Sequence, residues 1–255
     1  MKKISLFVVA FLLLVACEKP SDCVESSGAI VTKEVSVQPF KKIKVYRGIE
    51  VVITQGAVYK VEIVAGENFI GNVEVNQNGD QLIFKDEASC NWVRAYGMTK
   101  ILVTAPTLEE VYSKTDRNIS SNGVLTFPSL TFTAFDKDAD GEAGAGTGDF
   151  ILNVDNESLT INNNNVSRFY LSGQTNTADF NFYFGDGRIE AENLMAQHVK
   201  VYHRGSNDMI VYPIQSLIGD ELNGGGLFST GNVILKNVPP IINVEEFYQG
   251  NVIYP

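Results

Sequence analysis

Short runs of β-branched and aromatic residues, separated by Gly, Asn and Asp, recur along the chain about every twenty residues. One series reads Val51, Val73, Trp92, Val111, Leu130, Phe150, Phe169, Ile189, Met209 and Leu227, with steps of 18 to 22. A second, offset by half a period, reads Ile43, Val61, Leu82, Ile101, Ile119, Ala139, Leu159, Phe180, Val199 and Leu217. The residue two further on is often apolar as well, as in Phe150 and Leu152, Phe169 and Leu171, or Val199 and Val201. Because side chains along a strand alternate between faces, each unit supplies two half-buried strands and two turns. Helical periodicity is nearly absent.

A unit of this size cannot bury its apolar face alone, so it must stack on copies of itself. The pattern predicts an all-β chain whose residues 106–255 form a β-solenoid, right-handed and parallel β-helix-like, with about twenty residues per coil. A rival arrangement, an antiparallel meander folded into a sandwich, would produce both series too. Asn78-Gly79-Asp80, between Val73-Glu74-Val75 and Leu82-Ile83-Phe84, is a hairpin signal and favours that pairing locally. Residues 34–105 are therefore expected as a β region with an antiparallel hairpin and otherwise unsettled pairing.

The N-terminus has a different character. Lys2 and Lys3 precede an apolar run from Ile4 to Ala16, and Leu14-Val15-Ala16 leads into Cys17. Such a run is shorter than the roughly 20 residues that cross a bilayer, and Glu18-Lys19-Pro20 follows it at once. Charge, length and small residues before the cut describe a secretory signal, residues 1–16. The cysteine at the cut resembles a bacterial lipobox, which implies acylation of Cys17. Residues 17–33 would then be anchor and linker, holding the body to a membrane on the periplasmic side or at the cell surface.

Without Lys2 and Lys3 the chain carries eighteen basic and thirty acidic residues, a net charge of −12. That balance opposes nucleic acid, which is bound by neutralising phosphates with Lys and Arg. A 44% hydrophobic and 10% aromatic content excludes a disordered chain. An exported, oxidising compartment permits a Cys23–Cys90 disulfide, and two unpaired thiols are the other reading.

Phe40-Lys41-Lys42-Ile43-Lys44-Val45, followed by Gly48-Ile49-Glu50-Val51-Val52-Ile53-Thr54-Gln55-Gly56, resembles the opening of the head GIN domain family of auto-transporter adhesin-like lipoproteins, common in Bacteroidetes. Val58 to Ala65, Val103 to Leu108 and Gly224 to Asn232 fit it as well, so the resemblance spans about residues 39 to 237. Two departures stand out. Glu50 occupies the third position of the Gly-Ile-Asn triplet, and Ser113-Lys114-Thr115-Asp116 stands where the family usually has a Gly-Ser-Gly turn. The resemblance implies a β-helical body with an envelope role and no catalytic residues.

Two local patterns carry chemistry. In Asp136-Lys137-Asp138-Ala139-Asp140-Gly141-Glu142, alternate carboxylates precede a glycine, the way a loop directs several oxygens at one Ca²⁺. Asp136, Asp138, Asp140 and Glu142 are the candidate ligands, although Thr147 stands where an EF-hand needs its bidentate Glu. An acidic loop with a flexible Gly-rich tail is the plainer account. The second pattern groups Tyr202, His203, Arg204 and Asp208 with Tyr183 one unit earlier. Outward tyrosines can stack on sugars while Arg and Asp bind hydroxyls, and solvent-facing residues on a β-surface are the plainer account here. His198 and His203, five apart on a strand, should face opposite sides.

The chain lacks Gly-x-Ser-x-Gly, His-Glu-x-x-His and a phosphate loop. The expected role is thus a non-enzymatic, adhesin-like binding module, anchored to the membrane by lipid and contacting a glycan, a protein or another copy of itself through its sheet faces. A polysaccharide-acting enzyme of β-helix type and a purely structural envelope protein are the alternatives.

Overall fold

The computed structural model describes residues 27–87, 99–136, 141, 142 and 144–255. Cys17, Cys23, Cys90, Trp92, Asp138, Ala139 and Asp140 lie outside these residues. The fold is all-β, one 18-stranded sheet with no α-helix among the described residues.

The N-terminal strands are β1 (Ile30–Val35), β2 (Lys42–Val45), β3 (Glu50–Gln55), β4 (Lys60–Gly66), β5 (Val73–Asn78), β6 (Gln81–Asp86), β7 (Lys100–Ala105), β8 (Glu110–Ser113) and β9 (Ile119–Ser121). They are followed by β10 (Ser129–Ala134), the long strands β11 (Phe150–Asn163), β12 (Arg168–Phe182), β13 (Arg188–His203) and β14 (Met209–Gly219), and then β15 (Gly226–Leu227), β16 (Val233–Leu235), β17 (Ile241–Val244) and β18 (Val252–Ile253). Alternation governs each of them. In β3, Val51 and Ile53 are buried while Glu50, Val52 and Thr54 are half-exposed, and β7 repeats the pattern with Ile101 and Val103 inside.

Strand pairing builds two columns. The first runs β5, β6, β2, β8, β10 and then the C-terminal halves of β11, β12 and β13. The second runs β1, β4, β7, β3, β9 and then the N-terminal halves of β11, β12, β13 and β14, ending on β16 and β18. From β9 and β10 onward every pair is parallel, with Phe150 beside Phe169, Phe169 beside Ile189 and Ile189 beside Met209. Their apolar side chains form one buried core. Within it the rings of Phe132, Phe150, Phe169, Phe182 and His203 follow one another at centroid distances of 4.6 to 5.9 Å.

The N-terminal hundred residues depart from the even spacing. Val51 lies beside Ile101 and Ile119, members of the other apolar series, and Ile43 lies beside Leu82 and Val111. The reason is reversal of the chain. Strands β4 and β5 run antiparallel to their neighbours, with the expected hairpin at Gly79-Asp80, so β2 and β3 end up between β6–β7 and β8–β9. The steps stay near twenty because each strand with its turn takes about ten residues, whichever way it runs. The late steps shift too: Met209 pairs with Val233, while Leu227 pairs with His203.

Candidate binding face

At the end of each first-column strand the chain turns a corner, and there the outward positions are unusually aromatic. Tyr112 on β8 meets Phe135 just past β10 at 6.2 Å, and Phe135 meets Tyr183 just past β12 at 5.8 Å. The row continues to Tyr202 at 5.5 Å, Phe228 at 5.2 Å and Phe247 at 4.6 Å, the last two nearly coplanar at 3°. Backbone bonds fix these corners: Tyr183 N donates to Asn163 O and Phe228 N to His203 O. Tyr183 and Phe247 are nearly half-exposed. Burial, reinforced by neighbouring Tyr202, raises the pKa of the Tyr183 phenol.

Cations gather at the other end of the row. Lys44, Lys85 and Lys114 lie 5.4, 4.7 and 5.2 Å from the centroid of the Tyr46 ring, and Lys44 is also 5.3 Å from that of Tyr112. Ammonium groups at this range are attracted to the ring face. Lys114 is fully buried, and its Nζ donates to the Glu142 carbonyl at 2.7 Å.

The candidate sugar-binding residues separate in space. Tyr183 and Tyr202 stand in the row, and exposed Arg204 approaches the Tyr202 hydroxyl at 3.4 Å. His203 is not on that face, which corrects its grouping with Tyr202. One residue on along a strand is the opposite side, and the His203 ring is fully buried, edge-on to Phe182, with Nε2 2.8 Å from Asn207 O. His198, by contrast, is exposed and contacts Ser216 Oγ at 2.9 Å. Asp208 holds turns together: its Oδ1 accepts from Asn232 N at 3.0 Å and Asn232 Nδ2 at 2.9 Å, and Arg188 approaches Oδ2 at 3.4 Å. Sequence reasoning did not pick out Tyr112, Phe135, Phe228 and Phe247. Two of them, Phe135 and Phe228, follow strand ends by one residue, a position that a spacing count of buried residues passes over.

Two of the four candidate calcium ligands fall among the described residues. Both Glu142 oxygens accept from Lys85 Nζ, at 2.9 and 3.0 Å, and Asp136 Oδ1 accepts from Asn165 Nδ2. The glycine-rich stretch after them is tied down. Ala145 N donates to Lys114 O, and Thr147 N and Gly148 N donate to Thr115 O. At Gly148 any side chain would meet Arg117 O at 1.8 Å, so glycine here answers close backbone approach rather than flexibility. No cluster of three His, Cys, Asp or Glu side chains suited to a metal occurs among the described residues. With Glu142 and Asp136 already partnered, a chelator is expected to leave the melting midpoint unchanged; a fall in the midpoint, reversed by Ca²⁺, would restore the calcium reading.

The motif that carried the family resemblance also has a structural account. Gly48, at φ 87°, turns the chain between β2 and β3 and donates its N–H to Asp116 Oδ1 at 2.9 Å. Ile49 is buried, and its carbonyl accepts from Thr115 Oγ1 at 2.9 Å. The triplet and the departing Ser113–Asp116 segment therefore hold each other. Residues 39–233 match the family described as "Putative auto-transporter adhesin, head GIN domain". The chain belongs to that family.

Solved structures of similar fold include proteins from Bacteroides and Parabacteroides. A putative adhesin from Bacteroides fragilis aligns with a TM-score of 0.73 at 21% identity, covering 89% of this chain and 97% of the other. A putative lipid binding protein from Parabacteroides distasonis reaches 0.61 at 15% identity, with the same coverages. A putative adhesin from Parabacteroides merdae reaches 0.54 at 17%, again covering 89% and 97%. At such identities the likeness speaks to fold. No curated protein matches the chain.

Proposed function

We propose that this head GIN domain protein is a non-enzymatic binding module of the cell envelope, anchored by a lipid on Cys17, that contacts glycan chains through its aromatic corner. Partial exposure of the Tyr183–Tyr202 pair, beside the guanidinium of Arg204, carries this reading. Tyrosine rings offer apolar surface to sugar C–H groups, and their hydroxyls and the guanidinium hydrogen-bond to sugar hydroxyls. A net charge of −12 keeps such contacts polar and reversible rather than adhesive to anionic lipid. We further infer that the parallel strands wind as solenoid coils of about twenty residues; the Phe150, Phe169, Ile189 and Met209 pairings support this. Because β1 closes one end of the second column, the anchored linker would enter at that end and the row would extend away from the membrane.

The test is a glycan array probed with the chain from Cys17 onward, carrying Cys17→Ser to keep it soluble. Binding without turnover is the expected result. Cleavage of a bound polysaccharide would replace this reading with an enzyme, and silence on every glycan would point to a protein partner or a structural role. In cells, Cys17→Ser is expected to move the protein from the membrane fraction to the soluble one; retention on the membrane would refute the anchor.

A further inference from the structure

Next to the aromatic row, the outward face of β12, β13 and β14 contains a cavity of about 190 Å³. Alternation along the strands sets its floor. Asp179 and Asn181 project from β12, and their register partners on β13 are Lys200 and Tyr202; Lys200 pairs in turn with Ile218 of β14. Asn223, Gly224 and Gly225, at the end of the short turn Glu221–Asn223 and just past it, form a wall. That wall is fixed from below, since buried Asp220 accepts from Asn223 N at 2.8 Å, from Asn223 Nδ2, and from Asn243 Nδ2 through its other oxygen.

Asp179 is the unusual member of the group. Its Oδ1 is shielded from solvent and has no hydrogen-bond partner in the structure. An unpaired buried polar atom costs free energy, and native structures carry few of them. Desolvation raises the Asp179 pKa, and the positive charge of Lys200 opposes that shift. Asp179 is itself only half-buried and lines the cavity, so a hydroxyl held there can approach the carboxylate from the open side.

We infer that this cavity is a subsite for one pyranose unit bearing free vicinal hydroxyls, with Asp179 accepting from the hydroxyls, Lys200 and Asn181 donating to them, and Tyr202 lying against the sugar's C–H face. The donor set selects against other small ligands. The Asp179 carboxylate repels phosphate and sulfate, and Lys200 repels a metal ion, whereas a neutral polyol satisfies acceptor and donors together. A small polar cavity beside an aromatic ring matches the general build of ligand sites, a few placed polar groups around an apolar surface. The subsite rests on the glycan-binding reading and assigns its tightest point to Asp179.

The experiment is saturation-transfer NMR on the Cys17→Ser chain with glucose, galactose, mannose, fucose and N-acetylglucosamine, each at millimolar concentration. At least one sugar is expected to receive saturation. Asp179→Asn, which keeps size and shape, is expected to weaken that sugar at least tenfold, and Lys200→Met to weaken it severalfold. Tyr170→Ala, on the outer face of the other column, should leave it unchanged. Melting midpoints of the variants report any loss of fold, and the conservative Asp179→Glu provides a second measure should Asp179→Asn unfold. Sugar binding indifferent to both Asp179 variants, or a signal from free amino acids in place of sugars, would overturn the subsite. If glycans bind on the array while no monosaccharide responds, the subsite fails and the glycan reading stands; failure of both experiments removes the reading itself.

Discussion

Phe150→Ala is expected to lower the unfolding free energy by about 4 kcal/mol, within the usual 3–5 for truncating a buried phenylalanine. The ring is fully buried, stacked on Phe169 at 4.6 Å and 14°, and meets Phe132 edge-on at 5.8 Å. Both contacts vanish together. Paired rings in such geometries contribute about 0.5–1.5 kcal/mol beyond their buried area, and the space left lies between strands whose backbones are pinned in parallel register, so it cannot collapse easily. Urea titration of the wild type and the variant measures the effect as a shift in midpoint. Tyr170→Ala, an exposed ring one residue past Phe169 on the same strand, is the control and should stay within about 0.5 kcal/mol. A loss below about 1 kcal/mol for Phe150→Ala would mean that the ring file does not hold the core as described.

The Phe150–Phe169 part of that file was legible in the sequence because it lies where local and global order agree; its His203 end was not, since the sequence groups that residue with outward Tyr202. From Phe150 to Val211 each strand pairs with its sequence neighbour, and inward residues alternate within each half-strand, interrupted mid-strand and at the register shifts after Tyr170 and Glu190, so counting along the chain is the same as counting up the stack. Before Phe150 the two diverge. Val51 and Val111 are three steps apart in one sequence series, yet they occupy different columns, because β2–β3 is inserted between strands that come later in the chain. Hydrophobic spacing reports where strands are and which side faces inward; it is blind to chain direction. The Asn78-Gly79-Asp80 hairpin was the one residue-level sign of reversal, since turn chemistry records direction where periodicity does not.

The candidate face divides along similar lines. Nearness of Tyr183 and Tyr202 follows from one repeat length, so sequence could anticipate it. The Asp179 cavity could not be anticipated, because its wall comes from Asn223, Gly224 and Gly225, whose position depends on Asp220, Asn223 and Asn243 meeting across the turns. Lys114 shows the same limit from the other side. On sequence it stands where the family usually has a turn, but Glu142, Gly144 and Ala145 come against it, and it is buried beside Tyr46.

His203 makes the fold sensitive to acid, and its pH dependence is expected to be the largest of any single group in the chain whose shift is resolved. Burial lowers its pKa from 6.5 to about 4, against the opposing pull of the Asn207 carbonyl and Asp208. The folded protein thus keeps the imidazole neutral where the unfolded chain would protonate it. Above about pH 6.5 both states carry a neutral ring and the group has no effect. As pH falls from 6.5 toward 4, the unfolded chain gains a proton that the fold refuses, so stability drops throughout that window and the loss levels off below it. At about 1.4 kcal/mol per pKa unit, the full loss is about 3 kcal/mol. To isolate this one group the measurement is a difference: urea midpoints from pH 7.5 to 4 for the wild type against His203→Gln. Glutamine keeps a donor near Asn207 O and cannot titrate, so its own cost is a constant offset. The wild type should lose more stability than the variant across the window, and parallel curves would show that His203 takes up its proton as readily in the fold as in the open chain.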